Sequence, residues 1–213
     1  MIKIEKIEIP EILKNNEACW TSVVVNKIES GEEPTDTEKS RYRHPKIKEA
    51  LIKETHGKCA YCESKLLHVT YGDVEHIHPK SQDARNLFKW SNLTLACDKC
   101  NTGKGILRCV VDPYHDEIES SFKFLGPVVV PLPSNTSAII TERSLVLNRM
   151  ELIERRADKI KYLSDQILLI SNTKNPELRE VLRNDLIINE TASHQEFAAT
   201  ARSFIEAMIN NIS

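Results

Sequence analysis

The chain has 213 residues, of which 40% are apolar and 28% charged, and its formal net charge is −2. This composition is typical of a globular protein of one or two domains and excludes a chain too polar to form a core. No apolar run approaches the ~20 residues that a membrane-spanning helix requires, and the N-terminal sequence MIKIEKIEIPEI is too charged for a secretory signal. We therefore expect a cytoplasmic protein with no membrane partner.

Acidic and basic residues are unevenly distributed along the chain. Residues 1–38 contain nine acidic and four basic residues, whereas residues 39–58 contain two acidic and seven basic residues. A local basic surplus is expected of a surface that follows a phosphate backbone. A solvated helix face would have the same composition, and the two interpretations are about equally good. Because the rest of the chain is acidic, we expect nucleic-acid binding to need a partner or a specific geometry.

The first third of the chain predicts a strand, a helix and a second, basic helix. Residues 2–9 alternate apolar and charged side chains, which favours a short strand, and residues 15–28 have helical apolar spacing. The polar residues 30–36 are rich in helix breakers and predict a linker. After the linker, Pro45 fits the first position of a helix and Gly57 fits its C-terminal cap.

The last third of the chain is mainly helical in pattern. Residues 122–130 are strand-like and are followed by three segments with apolar stripes: residues 147–167, a segment beginning at Pro176, and residues 197–208. We therefore divide the chain into an N-terminal strand and helix segment (1–38), a core that contains the paired cysteines (39–112) and a mainly helical C-terminal region (113–213). Packing on the core is the default role of the first and third of these stripes, and docking of a partner is the alternative.

Four of the six cysteines form two Cys-x-x-Cys pairs, Cys59/Cys62 and Cys97/Cys100. Each pair can place two thiolates on one metal ion, and two pairs complete a tetrahedral zinc site with no open position. We therefore predict a structural Zn²⁺ ion. The alternative is a redox-active or merely buried set of thiols. The two remaining cysteines, Cys19 and Cys109, are predicted to be small buried hydrophobes.

The segment between the cysteine pairs contains an acidic residue directly before a histidine, Glu75-His76. Hydrolysis of a phosphodiester requires a metal ion near the phosphate and a base that activates water. A neutral imidazole can be that base, and carboxylate and amide oxygens suit Mg²⁺. Adjacent residues of a strand point to opposite faces, so a shared site requires a bend after Glu75. We expect Asp73 to stabilise a turn rather than to bind metal, and the other histidines to be ordinary surface or packing residues: His56, His68, His115 and His194.

Together these residues resemble the HNH endonucleases, in the variant whose ββα-metal fold is held by four cysteines and zinc. The motifs that carry the resemblance are the cysteine pairs, Asp73-Val-Glu-His76, Asn92, and Asn101-Thr-Gly-Lys104 after the last cysteine. The resemblance implies an α+β fold in which a small ββα-metal core, clamped by zinc, is surrounded by helices and followed by an α-helical C-terminal region.

A narrower resemblance links the chain to the HNH subunit of Septu-type and retron-associated anti-phage systems, the PtuB-like family. It rests on the sequence VEHIHPKS at residues 74–81, on Asp112-Pro113 and on Leu147-Asn148-Arg149. In this family the HNH subunit works with an ATPase, so the resemblance implies an ATPase partner.

The resemblance implies a role for each candidate site residue. His76 corresponds to the general base, Asn92 to the residue that orients the loop and His76, and Glu75 and Asn101 to the ligands of a catalytic Mg²⁺ or Mn²⁺ ion. The wider family usually has Asp where this chain has Glu75. His78 would touch phosphate or substitute as a ligand. Contacts with nucleic acid are expected from four basic residues: Lys80, Lys104, Arg41 and Arg43.

The implied function is metal-dependent hydrolysis of phosphodiester bonds in nucleic acid, most naturally DNA, by the effector nuclease of an anti-phage complex. A different class of protein, a non-catalytic zinc-knuckle module that binds nucleic acid or a partner, is the alternative. That alternative does not explain why an acidic residue and a histidine stand together before the loop.

Overall fold

The structure is a computed structural model that describes residues 1–66 and 70–209 of the chain. Within these residues it contains eight α-helices: α1 (Glu11–Glu29), α2 (Asp36–Lys39), α3 (Pro45–Glu54), α4 (Asp98–Lys104), α5 (Thr136–Ser144), α6 (Met150–Ser171), α7 (Pro176–Glu190) and α8 (Ala198–Ile209). Two antiparallel sheets pair β1 (Asp73–His76) with β2 (Leu93–Ala96) and β3 (Phe122–Leu125) with β4 (Val128–Pro131). The predicted α+β class is confirmed. His68 lies outside the described residues.

The N-terminal segment is extended but forms no strand, so the strand predicted over residues 2–9 is wrong. Ile2 and Ile4 are nevertheless buried, whereas Ile7 is exposed. The main chain bonds to loops instead of a neighbouring strand: Ile4 N–H donates to the Pro113 carbonyl at 2.9 Å, and the Trp90 indole donates to the Ile7 carbonyl at 2.9 Å.

Two helices that precede the cysteine module, α1 and α3, begin at or directly after a proline. Helix α1 starts directly after Pro10, four residues before the predicted start at residue 15. Helix α3 starts at Pro45 as predicted, because a proline at the first helical position loses no internal hydrogen bond. The chain then leaves α3 through Gly57, whose φ of 70° is easily reached only without a Cβ atom, and enters the first cysteine pair.

Strands β1 and β2 and helix α4 form the centre of the module. Asp73 of β1 lies opposite Ala96 of β2, and His76 lies opposite Leu93. Helix α4 begins after Cys97 and packs on β1. This strand–loop–strand–helix order is the ββα arrangement that the resemblance implies.

One buried apolar cluster draws on all three predicted segments: Leu13 and Val24, Leu51 and Leu93, and Leu147 and Phe197. A second cluster joins α6, α7 and α8 through Leu163, Leu186 and Ile205. The boundaries at residues 38 and 112 stay predictions, but the segments share a core. None of the helices within the described residues is long and apolar enough to cross a membrane.

The two unpaired cysteines are exposed, so the prediction that they are buried is wrong. Cys19 lies on α1, and Cys109 lies in the loop after α4. Cysteine is a residue type that is usually buried, and this general preference carried no information about which side of a helix or loop each one occupies.

We predict that Gly103→Ala destabilises the protein. A Cβ atom at this position would lie 2.4 Å from the main-chain oxygen of Ser144 at the end of α5. Backbone cannot yield as a flexible side chain does, so we expect a loss of about 1–3 kcal/mol in the free energy of unfolding, measured by denaturant titration. Thr102→Ala, on an exposed position of the same helix, should change it by less than about 0.5 kcal/mol. Equal stability of the two variants would contradict the close α4–α5 contact.

Candidate metal centre and active site

The four paired cysteines converge on one point of the structure. Their sulfur atoms all lie within 4.8 Å of one another, and the Cys62 and Cys97 sulfurs are 3.9 Å apart. Cys59, Cys62 and Cys100 are buried, and Cys97 is partly exposed. Four sulfur atoms at these separations could bind a single metal ion and leave no coordination position open.

Main-chain hydrogen bonds fix both cysteine turns. The Cys59 N–H donates to the Ser64 carbonyl and the Ala60 N–H donates to the Leu95 carbonyl, both at 2.9 Å, so the first turn is anchored on β2. Cys97 caps the N-terminus of α4, where its sulfur accepts the Cys100 N–H at 3.4 Å. The cysteines therefore tie the end of β2 and the start of α4 to the segment that follows α3.

Arg149 was part of a motif with no role assigned, and the structure places it on the cysteines. Its guanidinium nitrogens lie 3.9 Å from the Cys97 sulfur and 4.0 Å from the Cys100 sulfur. The neighbouring Asn148 bonds to both the N–H and the carbonyl of Val129 in β4. A permanently charged guanidinium balances part of the negative charge of thiolates, so this motif joins the second cysteine pair to the C-terminal region.

His76 ends strand β1 with its ring in a defined orientation. Its Nε2 lies 3.0 Å from the Leu87 carbonyl oxygen, and a carbonyl can only accept, so Nε2 carries the proton. In the neutral ring Nδ1 is then free to take a proton. The ring is buried edge-on against Tyr42, with centroids 4.5 Å apart. Burial lowers the pKa of His76 to about 4, although the Leu87 carbonyl opposes this shift, so the imidazole is neutral near pH 7.

Asn92 holds the loop that orients His76. Its Oδ1 accepts the His78 N–H at 2.7 Å, and its Nδ2 donates to the His78 and Asn86 carbonyls at 3.1 and 3.0 Å. Asn86 directly precedes Leu87, whose carbonyl holds the His76 ring. The position of Asn92 is thus the one expected for a residue that orients this loop.

Two side chains of β1 meet two side chains of α4. Asp73 and Glu75 share a strand face, and Asn101 and Lys104 share a helix face. The Asn101 Nδ2 donates to the Asp73 carboxylate at 3.1 Å, and the Lys104 ammonium donates to the Glu75 carboxylate at 2.9 Å and to the His76 carbonyl at 2.7 Å. Asp73 therefore belongs to the site and not to a turn. Apart from its position two residues before Glu75, no feature of the sequence indicated this contact.

Five of the candidate residues line a cavity of about 590 Å³: Arg43, Glu75, His76, Lys80 and Asn101. Its acidic and amide lining comes from Asp73, Glu75 and Asn101, beside His76. Its basic lining comes from Arg43, Lys48 and Lys80, and Lys80 also donates to the Tyr42 hydroxyl at 2.8 Å. Lys48 was not singled out from the sequence, although the basic surplus of residues 39–58 contains it.

Three candidates besides Asn92 lie outside the lining of this cavity. Lys104 is completely buried, with 0% of its surface exposed, so the predicted contact between Lys104 and nucleic acid is contradicted. Its ammonium is already bound by Glu75 and the His76 carbonyl. Arg41 does not line the cavity and stacks over the Trp20 ring at 5.8 Å. His78 is exposed and also lies outside the lining.

Comparison with known proteins matches residues 59–106 to the family model described as HNH endonuclease. The resemblance to HNH endonucleases is confirmed. The matched segment contains the four paired cysteines, strands β1 and β2, and helix α4. The Septu protein PtuB of Bacillus thuringiensis is 25% identical over 220 residues, covering 96% of this chain and 82% of that protein.

A second relative supports the narrower resemblance over a shorter stretch. The Septu protein PtuB of Bacillus mycoides (strain KBAB4) is 27% identical over 119 residues, covering 47% of this chain and 40% of that protein. The HNH segment is thus one part of a longer similarity to proteins named Septu protein PtuB.

We predict that Cys97→Ser removes the bound metal and most of the soluble protein. A metal held by four sulfurs contributes on the order of 10 kcal/mol to folding, and a hydroxyl is a poor replacement for a thiolate. Metal content measured by plasma mass spectrometry and soluble yield should fall together. The control Cys109→Ser, at an exposed lone cysteine, should change neither. Folded, metal-free Cys97→Ser protein would contradict a structural metal site.

We also predict a dependence of stability on pH that originates in His76. The unfolded histidine binds a proton near pH 6.5, whereas the folded one resists protonation down to about pH 4. The stabilising contribution is therefore complete above pH 6.5 and is lost as the pH falls to 4, by about 3 kcal/mol. Denaturant titrations at pH 7 and pH 4 should show a larger loss for the wild type than for His76→Gln. Equal losses of stability in the two proteins would show that folding does not lower the pKa of His76.

Proposed function

We propose that this chain is a metal-dependent HNH endonuclease that hydrolyses phosphodiester bonds in nucleic acid, DNA foremost. One observation carries the proposal: the oriented, neutral imidazole of His76 lines the same cavity as two carboxylates, one amide and three basic side chains. Hydrolysis of a phosphodiester requires a general base, a site for a metal ion that prefers oxygen ligands, and positive charge that binds the phosphate. The side chains that line this cavity could supply all three.

In this proposal His76 is the general base. Its Nδ1 accepts a proton from the water that attacks phosphorus, while Nε2 remains bonded to the Leu87 carbonyl. The bond from phosphorus to the 3′ oxygen breaks, and that oxygen takes a proton from solvent water to leave a 3′-hydroxyl and a 5′-phosphate. Asn92 acts through the loop and holds that carbonyl in place. Arg43, Lys48 and Lys80 bind the phosphate backbone. Arg41 and His78 are left as outer contacts, because neither lines the cavity.

The catalytic cation fits the oxygen donors of the cavity. Glu75 and Asn101 would hold Mg²⁺ or Mn²⁺, ions that prefer carboxylate and amide oxygens, and the Asn101 Oδ1 is available because Nδ2 is the atom that faces Asp73. When bound, the cation would stabilise negative charge on the phosphate. Asp73 would orient the Asn101 amide.

The four-cysteine centre fits zinc. Four sulfurs arranged around one point suit Zn²⁺ in a tetrahedral site, and a site without an open position is structural. Zinc would fix α4 relative to β1, and α4 carries Asn101 to the cavity.

The similarity to Septu protein PtuB supports a role in cytoplasmic anti-phage defence beside an ATPase subunit. Exposed apolar side chains on α6 and α7 offer a surface for that subunit: Leu168, Leu169, Val181 and Ile188. The acidic balance outside residues 39–58 fits a nuclease that is brought to its substrate by a partner.

One observation favours the alternative of a non-catalytic binding module. The Glu75 carboxylate, proposed as a cation ligand, already forms a buried ion pair with Lys104. Such a module would bind nucleic acid without cutting it, so cleavage that depends on Mg²⁺ or Mn²⁺ separates the two functions.

We predict that His76→Ala lowers the cleavage rate by at least about 100-fold, the scale of a lost general base. Zinc content and circular dichroism should be unchanged, since the cysteine site lies on other elements. The assay compares plasmid DNA and single-stranded RNA with Mg²⁺ or Mn²⁺, with and without a genomically adjacent ATPase. The control is His194→Ala, at an exposed histidine. Cleavage by His76→Ala at the wild-type rate would refute the assignment.

A further inference from the structure

The cavity carries more positive than negative charge. Its lining contains three cationic side chains, Arg43, Lys48 and Lys80, and two carboxylates, Asp73 and Glu75. Lys104 adds a fourth cation directly behind the lining, on Glu75. A cavity with this balance attracts a phosphate and disfavours an isolated divalent cation.

Lys104 opposes binding of a divalent cation most directly, because it is bonded to Glu75, the carboxylate proposed as a ligand of that cation. Its ammonium lies 2.9 Å from Glu75 Oε1, and neither residue has much access to water: Lys104 is 0% exposed and Glu75 8%. Like charges repel more strongly where water does not screen them. A second cation on Glu75 must therefore bind a carboxylate whose charge the ammonium already balances.

We propose that the buried Lys104–Glu75 ion pair makes cation loading depend on nucleic acid, so that the divalent cation binds the site tightly only together with a phosphate. Arg43, Lys48 and Lys80 attract the phosphate first. The phosphate then supplies negative charge that offsets the repulsion from Lys104. This inference rests on the proposed nuclease function and adds an order of binding to it.

Lys104 is a positioning residue in this scheme. It is bonded to the Glu75 carboxylate and to the main chain of His76, and it does not reach the cavity surface. A purely structural role would predict that its loss loosens the site and weakens cation binding. The proposal predicts the opposite, tighter binding of a free cation.

The test measures Mn²⁺ affinity by electron paramagnetic resonance. All proteins are full-length, zinc-loaded and carry His76→Ala, so that nucleic acid is not cut. With Mn²⁺ alone, Lys104→Met should bind at least about tenfold more tightly than the Lys104 protein, because the neutral side chain removes the repulsion. Adding Asn101→Ala to Lys104→Met should abolish this gain, which places the ion at the proposed site.

A second comparison adds a short duplex DNA or a single-stranded RNA to the same titration. Nucleic acid should tighten Mn²⁺ binding by the Lys104 protein at least about tenfold, and by Lys104→Met much less. Unchanged or weaker Mn²⁺ affinity in Lys104→Met would overturn the proposal, as would the lack of an effect of both nucleic acids on the Lys104 protein. If Lys104→Met fails to fold, the Mn²⁺ affinity of the Lys104 protein with and without nucleic acid decides alone.

These outcomes are separable from the proposed function. Suppose that the wild-type protein cleaves nucleic acid but Lys104→Met does not change the Mn²⁺ affinity. This result would refute the order of binding and leave the nuclease assignment standing. Suppose instead that Lys104→Met binds Mn²⁺ more tightly but the wild-type protein cleaves nucleic acid under no condition. This result would refute the nuclease assignment and leave the electrostatic effect of Lys104 established.

Discussion

The convergence of four cysteine sulfurs is the constraint on which the rest of the module depends. Strands β1 and β2 have four residues each and α4 has seven, so these elements bury little surface of their own. The sulfurs connect the segment after α3 to the start of α4. Because α4 carries Asn101 and Lys104 to β1, the relative position of the carboxylates and the amide follows from the cysteine site. Without a metal ion, four clustered thiols would provide no comparable restraint.

A separate set of hydrogen bonds orients His76. Asn92 is buried and bonds to the loop at His78 and Asn86, and the carbonyl of the next residue, Leu87, holds the imidazole. The cysteine site holds the start of α4, which carries Asn101, whereas this loop holds the ring of His76. Arg149 and Asn148 then tie the second cysteine pair to β4, which makes the C-terminal region part of the support of the site.

The sequence predicted features that local chemistry or spacing determines. The paired cysteines and the start of α3 at Pro45 need only short-range rules, whereas Asn92 was singled out by the resemblance alone. Features that depend on long-range packing were missed. Ile2 and Ile4 alternate as in a strand, but their segment packs against loops. Lys104 was expected to contact nucleic acid, and only the packing of α4 on β1 brings it to Glu75. Asp73 was missed for the same reason, since its partner is 28 positions away.

In the proposed order of binding, the buried lysine makes a site rich in positive charge accept a cation only together with a phosphate. Removing one partner of a buried ion pair leaves an uncompensated charge, which costs about 3–5 kcal/mol, so Lys104 and Glu75 stabilise each other as long as nothing else binds. A cation that arrives alone must work against this pairing, whereas a cation that arrives with a phosphate finds the added negative charge already present. The formal net charge of the whole chain is −2, and yet the cavity is locally cationic. The proposed order of binding therefore depends on the local charge at the site and not on the average over the chain.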